Sequence, residues 1–281
     1  MAEITTSIIM DLRARTNAGM MDCKRALTET NGDMEEAIKL LRMKGQAIQV
    51  KRASKEANQG LVEVGVSADG RTVALVEVNC ETDFVAKTDN FKKFVRLVAD
   101  TVLNGTEDVA GTLKDKISEL VSSTGENLKI GRTARFTLGE AGAIESYIHM
   151  GGKVGVIVEV GCGKAETTGH AAFTTLVHDV ALQIAAAAPR WLQAGDVTPE
   201  TVESEKALYR QQMEGENKPA NVIEKIIEGK IRKFFGEVCL IDQPFVKEPK
   251  QTVKQIVEAA GKAAGDTIVI RRFARFQIGS V

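Results

Sequence analysis

Four cysteines and three histidines are the side chains in this 281-residue sequence best suited to nucleophilic or metal chemistry, and their spacing argues against both. Cys23, Cys80, Cys162 and Cys239 lie far apart, and no Cys-x-x-Cys occurs, so a zinc ribbon is not expected. A Cys80 nucleophile with His149 as its base would need a third group to activate the pair, and none is visible. His149, His170 and His178 have no metal-ligand spacing, and His170 and His178 read as surface residues. Gly161-Cys162-Gly163-Lys164 follows an apolar run and imitates a phosphate-binding loop. That loop needs four residues between its first glycine and Gly-Lys-Ser/Thr, so that the backbone can wrap the phosphates; this chain has one, and Ala165 follows the lysine. Glu35-Glu36 fits a solvated helix face. The inventory predicts no catalytic residue, no metal ligand and no cofactor.

What remains is a repeat that breaks its own pattern. Val73-Ala74-Leu75-Val76-Glu77-Val78-Asn79-Cys80 matches Gly155-Val156-Ile157-Val158-Glu159-Val160-Gly161-Cys162 at an offset of 82. The match extends to Gly60/Gly142, Val62/Ile144, Gly70/Gly152, Phe91/Phe173, Val95/Val177, Val98/Val180 and Ala99/Ala181. Between strand and helix the copies diverge. One has Glu81-Thr82-Asp83-Phe84-Val85-Ala86-Lys87, the other Gly163-Lys164-Ala165-Glu166-Thr167-Thr168-Gly169. Packing accounts for the matches. An aromatic among polar residues in a connecting loop is where function is expected.

Bulk properties narrow the class. There are 37 Lys+Arg against 38 Asp+Glu, a net charge of −1, so no global basic field exists to hold nucleic acid by counterion release. No apolar run approaches the ~20 residues of a membrane span. Glu3, Asp11 and the lack of a long apolar core exclude a secretory signal. Dispersed cysteines fit reduced thiols, and the expected location is cytoplasmic.

The elements that must position the loop can be read along the chain. Residues 1–45 read as three short helices: an Ile4, Ile8, Leu12 stripe, then Met20 to about Thr28 with Cys23, Ala26 and Leu27 inward, then Met34–Met43 with Asp33 as N-cap and Gly45 as stop. Residues 46–59 read as a polar, partly basic linker compatible with a helix. Leu61–Val66 and Thr72–Asn79 flank Asp69-Gly70, a hairpin signal. A helix follows over Asn90–Leu103 with Phe91, Phe94, Val95 and Val98 inward, then another over Thr112–Ser122 stopped by Gly125. Leu128, Ile130, Ala134, Phe136 and Leu138 alternate as a half-buried strand does.

That closing segment also recurs, at an offset of 140. Thr112-Leu113-Lys114 matches Thr252-Val253-Lys254, Gly125-Glu126 matches Gly265-Asp266, and Ala134-Arg135-Phe136 matches Ala274-Arg275-Phe276. The difference between the offsets, 58 residues, is an insertion in the second copy at about 187–251. Within it Pro199–Met213 and Ala220–Phe235 read as helices joined by Glu214-Gly215-Glu216-Asn217-Lys218-Pro219, an antiparallel hairpin. Val202, Tyr209 and Met213 face inward on the first helix, and Ile223, Ile227, Lys230 and Phe234 on the second. The expected fold class is α+β: a helical module at 1–45, a linker at 46–59, and duplicated core subdomains with antiparallel strands at 60–140 and 141–281.

Four ordered motifs resemble a known family. Thr16-Asn17-Ala18-Gly19-Met20-Met21-Asp22-Cys23-Lys24-Arg25-Ala26-Leu27 is similar to the N-terminal signature of bacterial elongation factor Ts. Glu77-Val78-Asn79-Cys80-Glu81-Thr82-Asp83-Phe84-Val85-Ala86 resembles its second signature almost letter for letter. Tyr147-Ile148-His149 before Gly152-Lys153-Val154-Gly155-Val156, and Gln243-Pro244-Phe245-Val246, resemble further segments. The resemblance spans essentially the whole chain. It implies guanine-nucleotide exchange on elongation factor Tu, an N-terminal module like ubiquitin-associated (UBA) domains, a two-subdomain core and a helical hairpin. Two alternatives from other classes stand beside it: a non-catalytic interaction scaffold, and an enzyme using Cys80 and His149.

The resemblance also implies residue roles. Thr82, Asp83, Phe84 and Val85 map onto the loop that intrudes between partner helices near the bound magnesium. Arg13, Met20 and Met21 map onto the N-terminal contact surface, and His149 onto a core histidine touching another partner domain. Each has a plainer reading as well. Asp83 could cap a turn, Phe84 could sit in its own core, Met20 and Met21 could fill the bundle, and Arg13 and His149 could be solvated. Asn17 stands where the family commonly has glycine, and tolerates left-handed geometry. Met150 replaces a frequent small residue. The sequence ends at Val281 without the further C-terminal module of some relatives, from which weaker attachment, not lost activity, is expected. No direct nucleic-acid or membrane partner is expected, and pairing of two copies through the core or hairpin stays open.

Overall fold

Alternating apolar residues and the Gly70 turn fold the first repeat into β1 (Gln59–Val66) and β2 (Thr72–Cys80), paired antiparallel with Leu61 opposite Val78 and Gly65 opposite Ala74. The computed structural model describes residues 4–16, 18–213 and 219–280. Asn17 and residues 214–218, all of the expected hairpin connection but Pro219, lie outside the described residues.

Three helices precede β1: α1 (Thr6–Thr16), α2 (Met20–Glu29) and α3 (Met34–Arg52). Asp33 caps α3 by accepting the Glu36 N–H at 3.0 Å. Cys23, Ala26 and Leu27 are buried as expected, with Ile9 and Leu12; Ile4 and Ile8 only flank that cluster. The expectation that Gly45 stops α3 is corrected: the helix runs on through it to Arg52. A Cβ at Gly45 would lie 2.0 Å from the Ser118 carbonyl oxygen, so this glycine permits close helix packing instead of ending the helix. Residues 46–52 are therefore helix, and Ile48 packs on the first core.

After β2 come α4 (Asp83–Lys87), α5 (Asp89–Leu103), α6 (Val109–Thr112), α7 (Lys114–Thr124) and β3 (Lys129–Thr137), which completes a sheet in the order β1-β2-β3. Gly125, at φ 71°, caps α7 in the left-handed region. The second copy begins with β4 (Gly142–His149) and β5 (Val154–Cys162), then a 3-10 turn at Ala165–Gly169 and α8 (Ala171–Ala187). The inserted segment holds α9 (Pro199–Gln212) and α10 (Ala220–Val238), then β6 (Pro244–Phe245) and β7 (Glu248–Thr252). Then α11 (Val253–Ala264) and β8 (Ile268–Gln277) close the chain, giving a sheet in the order β4-β5-β8.

The duplication is visible in the packing. Ala74, Val76, Val78, Cys80, Phe91, Val95 and Val98 lie in one buried cluster; their partners at offset 82, Val156, Val158, Val160, Cys162, Phe173, Val177 and Val180, lie in another. Each fully buried phenylalanine contributes ~1.5–3 kcal/mol relative to exposure. By contacts the chain divides into two compact units, one of residues 1–135, 148–155 and 276–281, the other of 136–147 and 156–275. In the inserted segment Met213, Ile227 and Ile231 are buried together, with Arg210 paired to Glu224 at 3.3 Å. The expected inward Lys230 is replaced by Ile231, one residue on. Lys230 sits instead over the Tyr209 ring, 5.1 Å from its centre.

Candidate functional site: a clamped loop that presents Phe84

The sequence Thr-Asp-Phe-Val-Ala-Lys-Thr contains its own start and stop signals. The Thr82 hydroxyl accepts the Val85 N–H at 3.3 Å and starts α4; the Thr88 hydroxyl accepts the Phe91 N–H at 3.3 Å and starts α5. Between two caps only a single helical turn fits. Val85 and Ala86 turn onto the first core, and Phe84 points out, 78% exposed. Asp83 is half-exposed and meets Lys87 one turn on at 2.6 Å. That hydrogen bond chiefly holds the Asp83 carboxyl below its usual range, with a small further push from Lys153. Of the plainer readings, burial of Phe84 is excluded; Asp83 does stand in the first turn of a helix, while Thr82 provides the cap.

The loop is anchored from below by a carboxylate that sequence reasoning left unassigned. Glu126 accepts the Glu81 N–H at 3.1 Å and the Thr82 N–H at 3.0 Å on one oxygen, and the Thr82 hydroxyl at 2.6 Å on the other. Glu81 in turn takes two hydrogen bonds from Arg52, at 2.8 and 2.6 Å, and the Asn127 N–H at 2.6 Å. The Arg52 pairing is the main reason that its carboxyl is lowered to about 2. The signal for Glu126 was present in the repeat, where Gly125-Glu126 matches Gly265-Asp266.

In the second copy Asp266 takes the Lys164 N–H at 2.9 Å and the Thr167 hydroxyl at 2.6 Å. Asp266 thus takes the Lys164 N–H, and the Cys162 and Gly163 N–H groups go to the Ala141 and Thr267 carbonyls, both at 3.1 Å, so the backbone donors that a phosphate would need at Cys162–Lys164 are already engaged. Cys80 and Cys162 also play matched parts, donating to the Thr82 and Lys164 carbonyls at 3.1 and 3.2 Å. Burial pushes the Cys80 thiol up to about 12 and raises Cys162 too, so neither is a ready nucleophile. Among the described residues, no group of three or more His, Cys, Asp or Glu side chains is placed to hold a metal. No described helix is long and apolar enough to cross a membrane.

Sequence comparison matches residues 81–280 to the family described as Elongation factor TS, a stretch that begins at the first residue of this clamped loop. The chain belongs to the elongation factor Ts family. It is 43% identical to Elongation factor Ts of Trichlorobacter lovleyi, covering 98% of this chain and 93% of that protein. Against Elongation factor Ts of Desulfovibrio desulfuricans the identity is 41% over the full length of both. Against that of Clostridium perfringens it is 41%, covering 98% and 93%.

The other residues that resemblance to elongation factor Ts singles out lie away from the loop in sequence. Arg13 is exposed on α1, and Met21 is 68% exposed at the start of α2. Met20 packs partly against the helical cluster, so it fills the bundle at least in part. His149 ends β4, exposed, at a turn whose next three residues, Met150, Gly151 and Gly152, all have positive φ. Met150 takes that conformation without being glycine and is 70% exposed. The exposed Met10, Met43 and Val50 were not anticipated; a solvent-facing apolar residue has no periodic signature of its own.

Proposed function

We propose that this chain binds elongation factor Tu in its GDP-bound form and promotes release of the nucleotide with the loop Thr82–Val85. Family membership carries the broader statement: the chain is a nucleotide exchange factor of translation elongation. The observation that carries the finer one is Phe84, apolar and exposed, on a one-turn helix fixed at both ends. An aromatic held in this way can enter a partner without first losing loop entropy.

An exchange factor needs no acid, base or nucleotide site of its own. It must bind its partner better without nucleotide than with it, and reciprocity then makes the nucleotide loosen the factor equally. A ~10⁴-fold acceleration requires ~5.5 kcal/mol of differential stabilisation. Burying one phenylalanine supplies ~1.5–3 kcal/mol. Phe84 therefore directs energy that a wider surface must supply, and Arg13, Met20, Met21 and His149 are assigned to that surface. Asp83 and Phe84 are assigned to the partner's metal and phosphate region.

The parts follow the same reading. The three N-terminal helices, the third running past the expected boundary at 45 to Arg52, form a UBA-like docking module joined through the following residues to core subdomains at 60–140 and 141–281, with an antiparallel helical hairpin inserted at about 187–251. The role involves no covalent chemistry, no direct nucleic-acid contact and a cytoplasmic setting. Pairing of two copies through the core or hairpin is compatible with it. The test is release of a fluorescent GDP from bacterial elongation factor Tu by catalytic amounts of the chain. Acceleration with turnover is expected, and strongly reduced by Phe84→Ala. Binding without acceleration would make the chain an interaction scaffold instead.

A further inference from the structure

We propose that Glu126 is the positioning residue of this loop, setting the direction of Phe84 through Thr82 and so the rate of exchange rather than the strength of binding. The proposal rests on the assignment of Phe84 above. Its basis is geometric. Phe84 is almost free of its own core, so its direction is set by the backbone at the start of α4. That backbone is held on the Thr82 side by one carboxylate, which takes both consecutive N–H groups ahead of α4 and the hydroxyl that caps it. A charged acceptor on three converging donors fixes position more firmly than the cap alone, because such bonds are shorter and stronger than neutral ones.

Glu126 is itself well placed for the task. It follows Gly125, whose left-handed conformation ends α7, and precedes Asn127, which donates its N–H to Glu81. Adjacent residues thus hold the backbone N–H groups of Glu81 and Thr82 and the Glu81 carboxylate. The second copy keeps the anchor as Asp266 while presenting Glu166 where the first presents Phe84, so the anchor belongs to the scaffold and the aromatic is what the first copy adds to it.

The test uses the full-length chain with Glu126→Ala, which hands the three donors to water, and Glu126→Gln, which keeps the shape without the charge. A spin label on a Phe84→Cys background reports loop motion directly. The four native cysteines are buried, and burial raises each thiol, so the label goes to position 84. We expect the label to become more mobile in the order wild type, Gln, Ala. In the unlabelled chain, the maximal rate of GDP release should fall about tenfold for Ala and less for Gln, the scale on which small misplacements act. Affinity for the nucleotide-free partner should stay within about twofold, with far-UV circular dichroism unchanged. An unchanged label spectrum would overturn the positioning role while leaving that of Phe84 intact. Equal falls in rate and affinity would overturn it as well, by making Glu126 merely structural. If Phe84→Ala left release untouched, the assignment beneath both would fall, and that result is separate from the label's mobility.

Discussion

The loops that follow β2 and β5 leave matched strands past matched cysteines and enter matched helices, and each hangs from a carboxylate 140 residues from its counterpart. They differ in what they carry. The first forms an α-helical turn between two threonine caps and holds an aromatic in solvent. The second forms a 3-10 turn without a side-chain cap, and Glu166 stands where Phe84 would be. The first also has Glu81, tied to Arg52 of α3, where the second has Gly163. Duplication therefore preserved the anchor and the core, and the difference between the copies falls on the loop proposed above to meet the partner.

The comparison is tested most severely by Phe84→Ala. Loss of its buried area in the complex, ~1.5–3 kcal/mol, corresponds to a fall in GDP release of about ten- to a hundredfold, measured by stopped flow. Binding to nucleotide-free partner should weaken much less, and equal losses would show that the aromatic only adds area. A smaller effect separates the loops by pH. The Glu81 carboxyl lies at about 2 in the folded chain against an ordinary 4.5, so the unfolded chain binds that proton more readily. Its stabilisation is complete above about pH 5 and drains away as pH falls towards 2. Glu81→Gln should flatten this part of the acid limb of urea midpoints, whereas in the second loop Gly163 offers no such group and the acid-sensitive carboxyl is the anchor Asp266 itself, held below its usual range chiefly by the Thr167 hydroxyl.

Smaller still is the effect of Glu166→Phe, which places an aromatic on the second loop. Release rates should stay within about twofold of the unaltered chain, because surface substitutions of this kind do little by themselves. A gain in exchange would mean that the second loop already faces the partner's nucleotide. The smallest effect is expected from iodoacetamide at pH 8. Cys80, at about 12, is almost wholly protonated there, and exchange should be undiminished; inactivation would revive the thiol reading.

Much of this was legible in the sequence, for reasons that particular residues make clear. The repeat could be aligned because buried positions such as Phe91/Phe173 and Val98/Val180 accept few replacements. The loop stood out as the place where the alignment failed. Gly45 was misread because a glycine near the end of a periodic run follows the local rule for a helix stop, while its actual reason, the Ser118 carbonyl, lies 73 residues away. Lys230 was placed inward by a near-heptad count taken one residue early: the buried positions are Ile227, Ile231 and Phe234, and Lys230 lies beside them over Tyr209. Glu126 was passed over because a carboxylate after a helix stop looks solvated; its three donors come from residues 44 and 45 positions earlier. Whatever depends on contacts distant in sequence was hidden, and the repeated Glu126/Asp266 pair was the one trace of it.

The uninterrupted α3 can be described mechanically. Nineteen residues at ~1.5 Å each make a rod of roughly 28 Å. At Gly45 its surface rests on the Ser118 carbonyl with no room for a side chain, and that contact is the bearing. Two turns further on, Arg52 grips Glu81 at the root of the Phe84 loop, while the other end of the rod belongs to the bundle that holds Met20. One helix and one bidentate ion pair are thus all the covalent and polar linkage needed to tie the bundle to the root of the loop.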